Sequence, residues 1–377
     1  MNEEKKGIRL SDSQRLSWLR LIRSENVGPA TFRDLIVHCG SASDALEMLP
    51  ELVKRGGGGR PIRIASLQDA EREMQVATKM GAVFVGIGEP DYPRYLRQCD
   101  NPPPLVAIKG NPEVFRLPPV AIVGARNASL VGIKFARVIA RELGEAGYAI
   151  ISGLARGIDT AAHEASLDYG TVCVMAGGLD LPYPPENLNL YKAISARNGA
   201  AISEMPFGWE PRARDFPRRN RIIAALSLGL VVVEAAERSG SLISARLAGE
   251  LGRLVFAVPG SPLDPRAKGT NGLLKNGAIV TTSTEDIITA LTPLVERPVF
   301  DDPAFLAPDM DFPPINPPDE TDRDRLINLL GPVPVDIDDL IRTSELHPSV
   351  VMLILLELDL AGRLQRHSGG HVSLVYA

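Results

Sequence analysis

Apolar and polar positions follow a regular alternation in the middle of this chain. Between residues 118 and 292, short apolar runs recur, separated by stretches whose apolar residues are spaced three and four apart. The runs predict strands, and the stretches predict amphipathic helices. Such alternation is typical of a mostly parallel, doubly wound α/β sheet covered on both faces. The predicted strands span residues 120–124, 148–152, 171–176, 200–203, 229–233, 253–258 and 278–281.

The first part of the chain shows a helical pattern. Residues 16–24, LSWLRLIRS, and residues 30–40, ATFRDLIVHCG, have helical apolar spacing, and the Gly28-Pro29 pair predicts a tight turn between them. This pattern resembles a helix-hairpin-helix or sterile-alpha-motif-like module. The turn either offers backbone N–H groups to a phosphate or is only a turn, and the sequence leaves both interpretations open.

The last part of the chain has a third pattern. Residues 293–318 hold eight prolines and no sustained period, so we predict a linker. Three helical segments and a Ser-Gly-Gly hairpin follow, which is the winged-helix pattern. The third segment, residues 347–364, is apolar and acidic where a helix that reads a DNA groove would be basic. We therefore predict a structural or protein-contacting module, with duplex binding as the alternative.

These patterns divide the chain into four predicted regions. They are a helical module at 1–85, an α/β domain at 86–292, the linker at 293–318 and a winged helix at 319–377.

Composition and charge refine this division. The net charge of −5 is carried by residues 319–377, where ten acidic residues face five arginines, so the rest of the chain is near neutral. Cys39, Cys99 and Cys173 are widely spaced, which predicts core residues and neither disulfides nor a zinc site. The first residues lack the apolar core of a secretory signal, and no apolar run is long enough to span a bilayer. We expect a cytoplasmic protein.

Candidate chemistry follows the predicted strands, because ligands of open α/β sheets bind at the carboxyl ends of strands. The segments after the strands are rich in Gly, Ser, Thr, Asn and Arg, beginning with GARNAS at 124–129. Glycines admit an anion to backbone N–H groups, and arginines supply paired donors. The sequence therefore predicts a phosphate-binding groove, with Arg126 where an anion docks.

Several enzyme classes fit this groove poorly. The segment 124–129 lacks the second glycine of a dinucleotide fingerprint, and the chain contains no P-loop sequence. A hydrolase triad of Ser152 or Ser239 with His163 and Asp159 lacks the strained G-x-S-x-G turn. We assign no catalytic residue, no metal ligand and no cofactor.

Residues 207–221, FGWEPRARDFPRRNR, favour a polymer over a small anion. They hold five arginines interleaved with Phe207, Trp209 and Phe216. A protein that binds a single-stranded nucleic acid needs a row of cations for the phosphates and aromatic faces for the bases. Stacking on an aromatic face contributes about 1–3 kcal/mol per base. The alternative is a solvated loop in which Glu210 and Asp215 neutralise some arginines.

Six motifs in order resemble the bacterial DNA-processing protein A family, also called Smf. They are VGAR at 123–126, SGLARGID at 152–159 with His163 downstream, FPRRNRIIA at 216–224, SGSL at 239–242, VPG at 258–260 and GTNGLLKNGA at 269–278. The resemblance implies an extended Rossmann-like domain that binds single-stranded DNA without sequence preference. It also implies a homodimer that hands the strand to RecA recombinase during natural transformation and recombination.

The same resemblance implies which residues bind DNA. Arg126 matches a phosphate pocket in which Ala125 replaces a hydroxyl residue, a loss of about 0.5–1.5 kcal/mol. Phe216 is expected to stack on a base, and Arg219 and Arg221 are expected to contact phosphates. Asn220 is expected to shape its loop. The implied DNA- and phosphate-binding residues are Gly124, Ala125, Arg126, Ser152, Gly153, Gly157, Phe216, Arg219, Asn220, Arg221, Ser239, Gly240, Ser241, Gly269, Thr270 and Asn271.

Some of these residues also have structural interpretations, and two other functions stay open. Ser239 to Ser241 equally suit a helix N-cap, and Asn271 equally suits a helix cap. A phosphoribohydrolase-like nucleotide enzyme would need a carboxylate in the groove, and its candidates are Asp159, Asp180 and Glu204. An interaction scaffold predicts that Arg126→Ala and Arg219→Ala leave DNA affinity unchanged.

Overall fold

A computed structural model describes residues 9–296 and 318–375 of the chain. The predicted linker at 293–318 lies almost wholly outside the described residues, although its first three residues end a helix at Val295. The described residues form two compact units, one of residues 73–296 and one that joins residues 9–72 to residues 318–375. Among the helices described, none is long and apolar enough to cross a membrane.

The helices and strands follow the predicted alternation. Helices α1 to α4 are Asp12–Arg23, Pro29–Cys39, Ala42–Arg55 and Leu67–Lys79. The next elements are β1 Ala82–Gly86, α5 Arg94–Arg97, β2 Leu105–Gly110, β3 Pro119–Val123, α6 Leu130–Glu145, β4 Ala149–Ser152, α7 Ile158–Ser166, β5 Thr171–Val174, α8 Leu188–Ala196 and β6 Ala200–Ser203. The unit ends with α9 Asp215–Leu226, β7 Gly229–Val232, α10 Gly240–Glu250, β8 Leu254–Ala257, α11 Lys268–Lys275, β9 Ile279–Val280 and α12 Thr284–Val295.

One nine-stranded sheet organises the α/β unit. Its strand order is β1-β2-β6-β5-β4-β3-β7-β8-β9. The seven strands from β6 to β9 in this order are mutually parallel, whereas β1 and β2 join one edge in antiparallel fashion. The chain reverses its direction across the sheet between β3 and β7, which creates a switch point there. The prediction of a mostly parallel, doubly wound sheet is confirmed.

The central strands are apolar because both faces of the sheet are covered. Every residue of β3, β4, β5, β6 and β7 is buried. Side chains from α6, α7 and α12 form one continuous core with residues of β3, β4 and β7. Cys99 and Cys173 are buried free thiols, as expected, while Cys39 is only half-buried. Burial raises the pKa of Cys173 to about 12.

The second unit contains the terminal modules. Its C-terminal part comprises α13 Glu320–Leu329, β10 Val335–Asp336, α14 Ile337–Ser344, α15 Pro348–Leu360, β11 Leu364–Arg366 and β12 His371–Leu374. The strands form an antiparallel sheet of order β10-β12-β11. Apolar residues of the three helices pack with Leu364 and Val372 of this sheet in one core. Three helices with an antiparallel wing confirm the winged-helix prediction.

Candidate nucleic-acid interface

The carboxyl ends of six parallel strands meet at one edge of the sheet. We call the loops at this edge the strand-end rim. They are residues 124–129, 153–157, 175–187, 204–214, 233–239 and 258–267. Twelve of the sixteen sequence-predicted site residues lie in these loops or in the first turns of the helices that follow. Ser152 ends β4, and Arg219, Asn220 and Arg221 lie in the second turn of α9.

An exposed guanidinium lies beside an aromatic pair on the rim. The guanidinium carbon of Arg126 lies 5.3 Å from the ring centre of Phe216, at the start of α9. The ring of Tyr183 meets the Phe216 ring edge to face at 5.7 Å. A shallow pocket is lined by these three side chains and by Gly153, Ala155, Arg156 and Pro184. Within the described part of the chain Arg126 forms no ion pair, so its charge faces solvent.

Three predicted glycines allow the loops after β3 and β4 to pack closely. Gly157 has a φ of +79°, and a Cβ there would lie 2.3 Å from the carbonyl oxygen of Ala125. A Cβ on Gly153 would lie 2.2 Å from the guanidinium of Arg219. Gly124 is equally enclosed, with a side-chain carbon 2.6 Å from the position of a Cβ. These glycines therefore hold the loop that carries Arg126 against its neighbour.

Arg219 lies beneath the pocket and bonds to the protein itself. It is 6% exposed, and its Nη1 donates to the carbonyl oxygens of Gly153 at 2.6 Å and Val174 at 2.7 Å. Burial lowers the pKa of Arg219 to about 10, opposed by the charge of Asp159 and assisted by that of Arg126. We predicted a phosphate contact for this residue. In the structure its side chain instead ties the end of β5 to the loop after β4.

The residues of the imagined hydrolase triad are also engaged elsewhere. The Asp159 carboxylate accepts from two backbone N–H groups of the loop after β4, at 3.1 and 3.2 Å. His163 Nδ1 pairs with Thr171 Oγ1 at 2.7 Å. Ser152 Oγ donates to the carbonyl oxygen of Ile122 at 2.6 Å and is fully buried, so it presents no donor to a phosphate in solvent. This bonding holds the loops in place and gives no support to a triad.

A carboxylate of the protein occupies the N-terminus of α6. The backbone N–H and the hydroxyl of Ser129 donate to Glu234 at 2.9 and 2.5 Å. A Cβ on Gly132 would lie 2.6 Å from the carboxylate carbon of Glu234, so this glycine admits the side chain. In dinucleotide-binding sheets the corresponding helix N-terminus receives a phosphate. Glu234 takes that position here, in agreement with the missing dinucleotide fingerprint.

The arginine-rich segment 207–221 presents fewer free cations than we predicted. Glu204 pairs with Arg218 at 2.9 Å and also with Arg221. Arg219 is buried, so the exposed guanidiniums of the segment without a described carboxylate partner are those of Arg212 and Arg214. Neutralisation by a neighbouring acid therefore does occur, although the acid is Glu204.

The three aromatic residues of this segment have different environments. Phe207 packs edge to face against Phe84 at 5.8 Å and is held in the fold. Trp209 carries the guanidinium of Arg212 over its ring at 4.8 Å. Phe216 borders the pocket. The rim thus presents two pairs of a cation and an aromatic ring.

The SGSL motif forms a helix N-cap. Ser239 precedes α10, and its hydroxyl accepts from the backbone N–H of Ser241 at 3.3 Å. The Asn220 side chain donates to the carbonyl oxygen of Gly240 at 3.3 Å. These residues connect α9 to the start of α10, which agrees with the capping and loop-shaping interpretations.

The GTN motif joins two other loops. Gly269 N donates to the carbonyl oxygen of Ala235 at 2.8 Å, and Thr270 is fully buried. Asn271 lies inside α11 and donates to the carbonyl oxygen of Gly260 at 2.9 Å. Asn271 therefore fixes the loop after β8 and does not cap a helix.

Sequence reasoning missed four residues that line the pocket, and the two with functional side chains are Arg156 and Tyr183. Both lie in loops that we predicted to reach the rim, and both are exposed. Arg156 is 3.7 Å from Glu186, a weak surface pair. A single arginine or tyrosine in a loop carries no periodic signal, so only the folded geometry selects them.

The fold and the rim define a Rossmann-like α/β protein with exposed arginines along one edge of its sheet and with two terminal modules. Residues 83–292 match the family described as DNA recombination-mediator protein A. Residues 12–76 match a DprA-like N-terminal HHH domain, and residues 310–370 match a DprA winged helix domain. The chain belongs to the DNA recombination-mediator protein A family.

Individual relatives agree with this assignment. Protein Smf of Escherichia coli K12 is 36% identical over 286 residues, which cover 75% of each chain. The X-ray structure of DNA processing protein A from Streptococcus pneumoniae has a TM-score of 0.61 and 32% identity, over 75% of this chain and 98% of that chain. A structure of the Helicobacter pylori protein, which concerns its single-stranded DNA binding mode, has a TM-score of 0.50 and 30% identity, over 56% of this chain and 96% of that chain.

Proposed function

We propose that this chain binds single-stranded DNA without sequence preference at the strand-end rim and delivers the strand to RecA recombinase in DNA uptake and recombination. The observation that carries DNA binding is the exposed Arg126 guanidinium, which lies 5.3 Å from the Phe216 ring. A guanidinium suits a phosphate and an aromatic face suits any base, so the pair fits every nucleotide alike. Family membership and the DNA-binding relative from Helicobacter pylori support the same function.

The residues of the rim divide into contacting and positioning roles. Arg126 would bind a phosphate, and Phe216 would stack on a base, with Tyr183 as a second ring at its edge. Arg219 would act from below, because its buried bonds hold the loop that faces Arg126. The remaining glycines, serines and asparagines among the predicted site residues would likewise act by holding loops together.

We propose a binding role without catalysis, because the candidate carboxylates are already engaged. Asp159 is buried and bonded to backbone N–H groups. Both carboxylate oxygens of Asp180 accept from the N–H of Gly208 at 2.9 Å, and Glu204 pairs with two arginines. A carboxylate that stabilises an oxocarbenium must face its substrate. The nucleotide-processing alternative is therefore not preferred.

Delivery to RecA and pairing of two copies complete the proposal. Two linked rims would bind one strand far more tightly than either rim alone. We place this action in the cytoplasm, where a recombinase can receive the strand.

Fluorescence anisotropy of labelled oligothymidine tests the site. We expect Arg126→Ala to weaken binding and to make the slope of log affinity against log salt shallower by about 0.7, because one phosphate contact is lost. Phe216→Leu should cost about 1–3 kcal/mol without changing that slope, because stacking releases no counterions. The single strand should bind better than the same sequence as a duplex.

Arg246→Ala is the matched control. Arg246 is an exposed arginine on α10, paired with Glu250 within the helix and placed well after the turn that begins at the rim. It should leave affinity and slope unchanged. Equal binding by the wild type and by both rim variants would favour an interaction scaffold, and no binding by any of them would exclude the proposed function.

A further inference from the structure

In the second unit, which we call the terminal unit, the segment from the α1–α2 turn into the start of α2 contacts the C-terminal end of α15, the third helix of the winged helix. Asn26 Nδ2 donates to the carbonyl oxygen of Leu360 at 2.9 Å. Thr31 Oγ1 donates to the carboxylate of Asp359 at 2.8 Å. Both acceptors lie in the last turn of α15, where helix carbonyls lack partners within the helix. The turn therefore satisfies a helix end that is more than 300 residues away along the chain.

A shared guanidinium reinforces this contact. Arg366 of the wing donates to Asp34 of α2 and to Asp359 of α15, each at 2.8 Å. Its side chain is 20% exposed and that of Asp34 is 11% exposed, so the bridge is largely shielded from water. Arg363 also donates to the carbonyl oxygen of Gly56, at 3.0 Å. With the bonds of Asn26 and Thr31, four polar links thus join the N-terminal helices to the winged helix.

Close packing leaves no free face on α15. Residues of α2 and α3 pack against it on the side away from the winged-helix core. A Cβ on Gly56 would lie 2.0 Å from the carbonyl oxygen of Glu357, so the two backbones touch. No residue from 349 to 360 is exposed. A helix that reads a DNA groove must present one face to the bases.

We infer that the α1–α2 turn and α15 are each other's binding partners. The sequence left phosphate binding at the turn and duplex binding by the winged helix open as alternatives, and the two elements concerned are covered by one another. The side chains of Asn26 and Thr31 are engaged with the carbonyl of Leu360 and the carboxylate of Asp359, so a phosphate at this turn would meet a negative charge. The terminal unit is an interlocked brace and makes no duplex contact through either element. This inference does not depend on the function proposed for the rim.

Gly56→Val in the full chain tests the interlock, with Gly59→Val as the control. A side chain at position 56 must push the modules apart, whereas a Cβ at position 59 has no atom within 4 Å. Hydrogen–deuterium exchange should show a joint loss of protection at 26–31 and 348–360 in Gly56→Val alone, with the central strands unchanged. Unchanged protection of both segments would overturn the inference.

A double-mutant cycle keeps the inference testable if Gly56→Val does not fold. Asp34→Asn and Arg366→Gln should each lower the unfolding midpoint of the terminal unit. The double variant should lower that midpoint by less than the sum of the two single decreases. Additive shifts would mean that the two modules do not touch.

Hydrogen exchange in the presence of duplex DNA is a second test of the inference. When wild-type protein is mixed with a duplex oligonucleotide, exchange at 26–31 and 348–360 should not change. Protection of either segment by the duplex would show a duplex-reading module and would overturn the inference.

Discussion

His163 lies fully buried in α7, and its ionisation affects folding. Burial lowers the pKa of the imidazole to about 3, and the charge of Arg219 contributes. In the unfolded chain the same ring binds a proton near its usual pKa of about 6.5. Between these two values the unfolded state holds a proton that the folded state lacks. Stability due to His163 is therefore present above about pH 6.5 and is lost as the pH falls towards 3.

His163→Asn should reduce this acid sensitivity. The asparagine amide can replace Nδ1 as the partner of Thr171 and does not titrate. We expect the wild-type chain to lose up to about 1.4 kcal/mol per pH unit more than the variant between about pH 7 and 5. Burial raises the pKa of Asp159, which acts in the opposite direction in both chains. Urea unfolding across this range measures the difference, and parallel pH profiles would contradict it.

At single positions, the sequence predicted which residues lie at the rim better than the direction in which their side chains point. Arg126 and Phe216 lie together where we expected an anion and a base to bind. Arg219 differs because α9 begins at Asp215, which places position 219 on the same helical face as Ile222 and Ile223. That face is buried. We treated 207–221 as a loop, and only the helix start shows which of its arginines points inward.

Helices and strands were the most predictable elements. The seven predicted strands correspond to β3 through β9 within one or two residues at most ends, because continuous apolar runs are required in a sheet covered on both faces. The antiparallel edge formed by β1 and β2 was not predicted, since strand order depends on contacts distant along the chain. The packing of α2 and α3 against α15 could not be predicted for the same reason. An apolar helix has the same sequence pattern whichever partner buries it.

The N-terminus of α6 supports a prediction at the scale of one element. Gly132→Ala would ordinarily stabilise a helix by about 0.5–1 kcal/mol. Here the new Cβ would lie 2.6 Å from the carboxylate carbon of Glu234 and displace the group that accepts from Ser129. We therefore expect Gly132→Ala to destabilise the wild-type chain, measured by urea unfolding.

The same substitution in a Glu234→Ala background is the control. Without the carboxylate, the alanine should recover its ordinary stabilising effect. An identical change in stability in both backgrounds would show that the position of the Glu234 carboxylate does not depend on a glycine at 132.

Across the whole molecule, the two units differ in net charge and in the exposure of their basic residues. The net charge of −5 belongs to residues 319–377, in the unit whose long apolar helix has no exposed residue from 349 to 360. The α/β unit carries the exposed arginines of the rim. Acidic surface repels a nucleic-acid backbone, which agrees with the rim as the proposed DNA site.

Pairing of two copies predicts a dependence on strand length. A strand that spans two rims should bind about 100-fold or more tightly than one that fills a single rim, because the second contact is intramolecular. Oligothymidines of about 8 and about 40 nucleotides compare these cases, with sedimentation of the free protein as the measure of pairing. Arg126→Ala should reduce the advantage of the long strand, because it weakens both contacts at once. A monomer whose affinity rises only in proportion to strand length would contradict pairing and leave the single rim as the complete binding site.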